Sequence, residues 1–314
     1  MESLQNLKKR IKSVSNVGQI TKAMELVSAT KMRKSQQIAL DSRPYSFVAL
    51  DLLATISELE HKLPALFDVR QVKKVLFVLV ASDKGLAGAF NSSVFKKFEQ
   101  HLKIRKKEWD QEEHLFVAVG EKAYSYLAKR GFKVLQKVND MGDFTDLEEV
   151  KPMADFLVKG YLDKQWDRVV VISTHFVTAL KQEPHVRRIL PIDFDHIAQT
   201  VVETIPERGK FAELIKENNV SFVPDREKIK EYIIEPNPEE VLEKLAEHLF
   251  LMVVYQLVLE ANASEHSARR MAMKTASDNA SDLGEKLSLQ YNKARQSRIT
   301  TEISEISAGA EALS

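Results

Sequence analysis

Hydrophobic residues recur every three or four positions at the beginning of the chain, and this spacing predicts a helix with one apolar stripe. Ser3 is a candidate N-cap for this helix, and Pro44 marks a place where it can break or kink. The stripe consists of Leu4, Leu7, Ile11, Val14, Val17, Ile20, Met24 and Val27.

The end of the chain has a similar pattern. All nine prolines lie between Pro44 and Pro238, so residues 239–314 can form one or two very long helices. Near the terminus, apolar residues follow each other at steps of four, three, four and three, which is coiled-coil spacing. They are Ile299, Ile303, Ile306, Ala310 and Leu313.

The two predicted helices differ in charge, although the whole chain has a formal net charge of only +1. Residues 1–43 contain nine basic and three acidic residues, whereas residues 239–314 contain eight basic and twelve acidic ones. Two such helices can pair with other copies or with each other, and opposite charge favours the second arrangement. An intervening domain that returns the chain makes the pair antiparallel. We therefore predict an antiparallel coiled coil of the two terminal helices.

Between these helices the hydrophobic pattern changes. Short runs rich in Val and Leu are typical of strands buried on both faces, and they occupy residues 75–81, 115–119 and 169–172. Helical segments are predicted at about 92–107, 121–130 and 147–163. The alternation predicts a mainly parallel sheet with right-handed crossovers.

The region after the third run is less regular. Residues 178–192, with a turn expected at Glu183-Pro184, are predicted to add an antiparallel edge, while residues 193–229 have no pattern that assigns them. The resulting prediction is an α/β fold in which a central, mainly parallel sheet is flanked by long terminal helices. The predicted domains are residues 1–58 for the N-terminal coiled-coil helix, 70–236 for a central Rossmann-like domain and 239–314 for the C-terminal coiled-coil helix.

The sequence lacks the residues that several classes of site and reaction require. The chain has no cysteine, which excludes disulfides, thiolate catalysis and cysteine metal sites. The metalloprotease, serine-hydrolase and Gly-Lys-Ser/Thr phosphate motifs are missing from the sequence. The loop 82–91 follows a strand and precedes a helix, but it lacks the third glycine of a dinucleotide site, so a tight turn is the better interpretation. We expect no catalytic residues, no cofactor and no metal.

The sequence also bears on export, membrane insertion and nucleic-acid binding. The first residues lack the apolar core of a signal peptide, and the longest apolar stretch, 249–259, is about half a membrane span. Basic clusters at 8–12 and 31–34 can bind nucleic acid, but the first 43 positions contain no aromatic residue and a solvated face explains the charges as well. We expect no nucleic-acid partner.

Two alternatives to the main interpretation below stay open. An oligomeric α/β protein that binds a nucleotide or metabolite predicts small-molecule binding by the isolated chain. A nucleic-acid-binding coiled coil predicts strongly salt-dependent binding to duplex.

Motifs at both ends and in the middle carry a resemblance to a known family. The N-terminal motifs are at 11–14, 19–29 (QITKAMELVSA) and 31–36 (KMRKSQ). The C-terminal motifs are at 263–266, 269–273 and 291–303 (YNKARQSRITTEI), and further matches occur at 82–91, 182–184 and 235–236. In this order, the motifs resemble the gamma subunit of bacterial F-type ATP synthases.

The resemblance implies a rotor shaft. In that family the terminal helices form an antiparallel coiled coil inside a hexamer of alternating alpha and beta subunits, and the α/β domain forms a foot with the epsilon subunit on the membrane c-ring. Ion flow turns the ring and foot, and the shaft drives three beta sites through ATP synthesis or, in reverse, hydrolysis. The resemblance implies regulation of ATPase activity, no catalysis by the chain itself, and a peripheral position on the cytoplasmic face of the inner cell membrane.

The resemblance also assigns contact residues. Lys22 and Met24 match positions near the beta subunits, although Met24 also fits a plain coiled-coil core. On the C-terminal helix the matching residues are Arg295, Gln296, Thr300 and Glu302. Lys31, Arg33 and Lys34 either meet an acidic region of beta or form a solvated face.

Overall fold

The structure, a computed structural model, describes residues 3–59, 63–141, 145–193 and 234–313. Side chains are described for all of these except residues 39–59, 108 and 309–313. Most of the unassigned segment 193–229 therefore lies outside the described residues.

Two helices are far longer than the others. Helix α1 spans Leu4–Leu59 and continues through Pro44 without ending there. Its first turn is capped as predicted, since the Asn6 amide donates to Ser3 Oγ at 3.3 Å. The last helix, α6, spans Pro238–Leu313 and contains 76 residues, so the C-terminal region forms one helix.

Between them, the described residues form five strands and four shorter helices. The strands are β1 (Lys74–Val80), β2 (Glu113–Val119), β3 (Val134–Val138), β4 (Arg168–Phe176) and β5 (Gln182–Leu190). The helices are α2 (Phe90–Ile104), α3 (Lys106–Trp109), α4 (Glu121–Lys129) and α5 (Leu147–Leu162), and a 3-10 turn occupies Ala65–Phe67.

The strands form one sheet in the order β3-β2-β1-β4-β5. All neighbouring pairs are parallel except β4 and β5, which are antiparallel. This confirms the predicted fold class, a mainly parallel sheet with long helices at both ends of the chain and an antiparallel edge.

Two details differ from the prediction. Strand β3 was not predicted, because its sequence VLQKV is short and only half-buried. The turn expected at Glu183-Pro184 was wrong: both residues lie in β5, and the turn is formed at Thr178 and Lys181, whose backbone groups bond to each other. Pro184 is tolerated in a strand because β5 is at the edge of the sheet and one missing N–H disrupts little there.

Apolar side chains cover both faces of the sheet. Alternate residues of β1 point in opposite directions, with Leu76 and Val78 packing on the face of α5 and α6, and Phe77 on the face of α2 and α4. The Trp166 side chain is completely buried on the first face and donates to the Leu157 carbonyl at 3.1 Å.

The chain divides into two compact units. One consists of Met1–Ser28 with Arg269–Ser314, and is called here the helical unit. The other, Ala29–Ala268, contains the sheet and is called the sheet unit. Among the described residues, none of the helices has the length and hydrophobicity that a membrane span needs.

Candidate functional site

In the helical unit, the two long helices pack against each other. A Cβ placed on Gly18 would lie 3.5 Å from the Ala280 Cβ, and one placed on Gly284 would lie 3.9 Å from Val14 Cγ1. Positions that rise along α1 therefore meet positions that fall along α6. This confirms the predicted antiparallel coiled coil.

The contact line between these helices, called here the seam, follows a heptad repeat. Its side chains are buried or half-buried at alternating steps of three and four. On α1 they are Leu7, Ile11, Val14, Gly18, Thr21, Glu25 and Ser28, and on α6 Met273, Ser277, Ala280, Gly284, Leu287, Tyr291 and Ala294. From Gly18 onward the α1 side of the seam is small or polar, so this part of the pair has little apolar packing.

The predicted apolar stripe leaves the seam after Val14. Val17, Ile20 and Val27 are 51%, 60% and 54% exposed, so this part of the stripe does not face the partner helix. On a helix of 3.6 residues per turn, three residues fall about 60° short of a full turn. A stripe with successive spacings of three residues therefore shifts around the helix by about 60° at each spacing. The seam instead takes a step of four from Val14 to Gly18.

As a result, α1 presents an exposed apolar face, defined here as Val17, Ile20, Met24 and Val27. Met24 is half-buried, at the border between this face and the seam. Lys22 lies on the other side of the seam, about 160° around the helix from Met24. The two residues predicted to act together therefore point in different directions.

The Lys22 side chain forms an ion pair with a neighbour on the same helix, which partly accounts for a lysine at this position. Its Nζ lies 2.9 Å from Oε2 of Glu25, an acidic residue that is buried in the seam. The lysine thus compensates a buried charge and remains mostly exposed itself. This pairing contributes modestly to stability because one partner is in solvent.

The three basic residues at 31–34 belong to the sheet unit. Arg33 and Lys34 are exposed, Lys31 is half-buried, and Met32 between them is buried. Lys31 and Lys34 are about 60° apart on the helix, whereas Arg33 points to nearly the opposite side. The structure does not bring all three onto one surface.

The last part of α6 has no paired segment of α1 beside it. The register that joins Val14 to Gly284 brings Leu4, the first residue of α1, level with Ala294. Ile299, Ile303 and Ile306 follow and are exposed, so their coiled-coil spacing does not produce a packed core within the described chain. Ala310 and Leu313 lie outside the described side chains.

The predicted C-terminal residues flank this isoleucine stripe. By helical geometry Arg295 and Glu302 lie along one side of it, and Gln296 and Thr300 along the other. Thr300 Oγ1 donates to the Gln296 carbonyl at 3.0 Å. Glu302 accepts from Arg298 Nε at 2.8 Å, and sequence reasoning missed Arg298, although its i,i+4 spacing from Glu302 was a usable signal.

The loop from Ser82 to Asn91 directs its polar groups inward. Ser82 Oγ donates to the Lys84 carbonyl at 2.7 Å, and the Asn91 amide donates to Ser82 Oγ at 2.7 Å. Asp83 accepts the backbone N–H groups of Glu121 and Asp140, each at 3.0 Å. These contacts agree with a tight turn.

Beside this loop, at the carboxyl end of β1, a cavity of about 10 Å³ has room for one water molecule. Side chains of α6, including Asn262 and Glu265, line it. Within the part of the chain that the structure describes, no group of His, Asp or Glu residues is arranged to hold a metal ion.

Comparison with known proteins decides the family. The family described as ATP synthase matches residues 3–313. The ATP synthase gamma chain of Roseiflexus castenholzii is 35% identical over 316 residues, covering 100% of this chain and 99% of the relative. The gamma chain of Nitrosomonas eutropha is 34% identical and covers all of both chains. The chain belongs to the ATP synthase gamma-chain family.

Solved structures of low sequence identity share the fold. The rotor of the Euglena gracilis mitochondrial ATP synthase, in rotational state 1, matches with a TM-score of 0.57 at 18% identity, over 94% of this chain and 98% of that one. A chain of the OSCP/F1/c-ring structure from the same organism, in rotational state 3, matches with a TM-score of 0.61 at 17% identity, over 99% and 94%. These structures show the fold, whereas the family match and the curated relatives identify the chain as a gamma subunit, part of the membrane-associated ATP synthase complex.

Proposed function

We propose that this gamma chain is the central rotor shaft of its ATP synthase and contributes no catalytic residue. It couples ion-driven rotation of the membrane ring to the cycle of the three beta sites, in synthesis or in hydrolysis, and it regulates ATPase activity. The observation that carries the proposal is the exposed isoleucine stripe, since a helix end with apolar residues on its outside needs a surrounding surface.

The alpha and beta subunits provide that surface. The α1 apolar face and the isoleucine stripe both lie on the helical unit, where a hexamer can enclose a slender helical pair. Exposed charged side chains beside them, such as Arg295 and Glu302, suit contacts that form and break, because exposed ion pairs contribute only about 0–1 kcal/mol each. A shaft that turns needs such exchangeable contacts.

The predicted residues take roles within this arrangement. Met24, Lys22, Arg295, Gln296, Thr300 and Glu302 contact alpha or beta in different rotary positions. Lys31, Arg33 and Lys34 meet an acidic surface of beta in turn, because they point in different directions from α1. In the terms of the predicted domains, residues 1–58 and 239–314 provide the shaft.

The remaining domain, residues 70–236, forms the foot. We assign its partners as the epsilon subunit and the c-ring, which places the chain at the cytoplasmic face of the cell membrane as a peripheral subunit. The absence of a membrane-spanning helix among the described residues is compatible with this position.

The proposal is tested first by isolation. Native membranes are extracted with detergent and separated by size, with the chain followed by antibody and ATPase measured in each fraction. We expect the chain in a large ATP-hydrolysing particle at one copy per three beta subunits. Elution alone or as a small homo-oligomer without ATPase would overturn the proposal and favour the small-molecule-binding alternative.

A substitution tests the placement of Met24. Met24→Lys adds a cation at the edge of the α1 apolar face, which we propose faces beta, and we expect over-tight contacts with an acidic beta surface that lower the ATP synthesised per ion gradient while assembly is unchanged. Met24→Leu is the matched control, because it keeps size and apolar character. Equal coupling of both variants in membrane vesicles would contradict the placement.

A further inference from the structure

One segment of α6, within the sheet unit, is held by polar contacts on two opposite sides. Its members Tyr255, Glu260, Asn262 and Ser267 are buried, an unusual place for so many polar side chains on one helix. These four residues and the groups they bind are called here the polar collar.

The first side of the collar binds the connection between β3 and α5. Asn262 Nδ2 donates to the Met141 carbonyl at 2.6 Å and lies 3.0 Å from Thr145 Oγ1. About two helical turns earlier, Tyr255 OH donates to the Thr145 carbonyl at 3.1 Å. Tyr255 and Asn262 are seven residues apart and therefore share one helix face.

The second side binds β4, β5 and the turn between them. Glu260 Oε2 lies 2.8 Å from His175 Nδ1 and 3.5 Å from Arg187 Nη1. Ser267 Oγ donates to the Ala179 carbonyl at 2.6 Å and accepts from Gln182 Nε2 at 3.3 Å. Glu260 and Ser267 are also seven residues apart, and they share the opposite face, about 160° from Asn262.

This geometry constrains one particular motion. Apolar packing is non-directional, so by itself it opposes rotation of a helix about its own axis only through the shape of the contact. Hydrogen bonds weaken steeply when their angle changes. Bonds on opposite faces are all bent by an axial rotation, whichever its sense.

We propose that the polar collar fixes the rotational position of α6 in the foot, so that Asn262, Glu260 and Ser267 are positioning residues for the transmission of torque. This inference rests on the proposed rotor function. Burying polar groups costs free energy and adds no apolar contact. Fixing the rotational position of α6 gives these buried groups a function.

The collar occupies the place where many α/β proteins bind ligands. In doubly wound sheets, ligands bind outside the carboxyl ends of the strands where the strand order reverses, which here is beside β1 and β4. Asn262 lines the one-water cavity at the end of β1. In this chain, helix α6 fills the position that a small molecule takes in such proteins.

The test uses the whole ATP synthase in sealed vesicles. The variant is Asn262→Leu with Thr145→Val, which replaces both side chains by apolar groups of similar shape. It also removes the two donors to the Met141 carbonyl, so we expect some loss of stability, which the packing variant below is chosen to match. ATP hydrolysis is measured with an uncoupler, when the rotor carries no load, and ATP synthesis under an imposed ion gradient, when it does. We expect hydrolysis close to that of the unmodified complex and a ratio of synthesis to hydrolysis that is lower by roughly fivefold.

Two controls separate torque transmission from packing. Thr145→Ser keeps the hydroxyl and loses a methyl group, and Val258→Ala removes buried apolar volume from the same part of α6. Both should retain the normal ratio. Ser267→Ala, on the opposite side, should lower the ratio in the same direction as the double variant.

The outcomes are distinct. If the double variant and Val258→Ala change the ratio equally, or if the double variant fails to assemble while Val258→Ala assembles, the collar serves packing and the inference is overturned. If the unmodified chain itself neither assembles with nor couples an ATP-hydrolysing complex, the proposed function fails instead.

Discussion

The sheet unit and the helical unit are stabilised in different ways. The sheet unit buries two continuous apolar layers, one on each face of the sheet, with large side chains such as Trp166 and Phe116 fully enclosed. The helical unit has a seam with Gly18, Thr21, Glu25 and Ser28 on one side, while apolar residues such as Ile20 point outward. The difference indicates that apolar packing stabilises the sheet unit more than the helical unit, which leaves apolar side chains exposed.

The largest effect is expected when the centre of the sheet-unit core is removed. Trp166→Ala should lower the free energy of unfolding by about 3–5 kcal/mol, because it deletes a fully buried aromatic side chain and leaves a cavity. Urea unfolding followed by circular dichroism measures the change. The exposed residue Ile104 is the control, and Ile104→Ala should change the free energy by less than about 0.5 kcal/mol.

A glycine in the sheet unit gives the next largest effect. A Cβ on Gly160 would overlap the Trp166 ring, so Gly160→Ala should destabilise the chain by about 1–3 kcal/mol despite the better helix propensity of alanine. The same urea titration tests this. An unchanged midpoint would mean that the ring can move without cost and that the core is less tightly packed than the structure indicates.

The same substitution in the helical unit should have the opposite sign. A Cβ on Gly18 meets only the Ala280 Cβ, at an ordinary contact distance of 3.5 Å, so Gly18→Ala should stabilise α1 by up to about 1 kcal/mol. Thermal unfolding of the full chain is the measurement, with Gly284→Ala as the matched change on α6. Destabilisation by both would show a seam packed as tightly as the sheet-unit core.

The smallest expected effect concerns pH in the sheet unit. Burial lowers the pKa of His114, whose ring stacks on Trp109 at 3.4 Å between centroids, although the Glu112 carboxylate lies 3.7 Å from Nε2. Because the unfolded chain binds the proton more readily, stability should fall as pH decreases below about 6.5, the ordinary pKa of histidine.

His114→Phe tests the origin of this dependence. The variant keeps an aromatic ring against Trp109 and removes the titrating group. Its unfolding free energy should depend less on pH between about 7 and 5 than that of the unmodified chain. Identical slopes for the two proteins would assign the pH dependence to other groups.

Much of the fold was predictable because burial leaves a strong sequence pattern. Strands β1, β2 and β4 are runs of Val, Leu and Ile buried on both faces, and each was predicted from that pattern. Strand β3 was missed because an edge strand buries only part of each side chain and tolerates Gln136 and Lys137. The antiparallel edge was predicted, but its turn was misplaced by the usual association of Pro184 with turns.

The candidate surface was only partly predictable. Motif positions suggested Met24 and Arg295, but the spacing of apolar residues could not distinguish a packed stripe from an exposed one. A periodic stripe shows that one face of a helix is apolar, and the covering surface can belong to the same chain or to another. Ile299 and Val27 belong to such stripes and are exposed in the described part of the chain.

Local periodicity and composition were therefore enough to predict the kinds of elements, the mainly parallel sheet and the opposite charge of the terminal helices. The residues of α1 that meet α6 could be identified only from the folded helical unit, since a step of four rather than three after Val14 moves the seam onto Gly18 and exposes Val17. The hydrogen bonds that Asn262 and Glu260 make on opposite faces of α6 are likewise a feature of the tertiary structure, because bonds between residues about 85–120 positions apart leave no pattern in the local sequence.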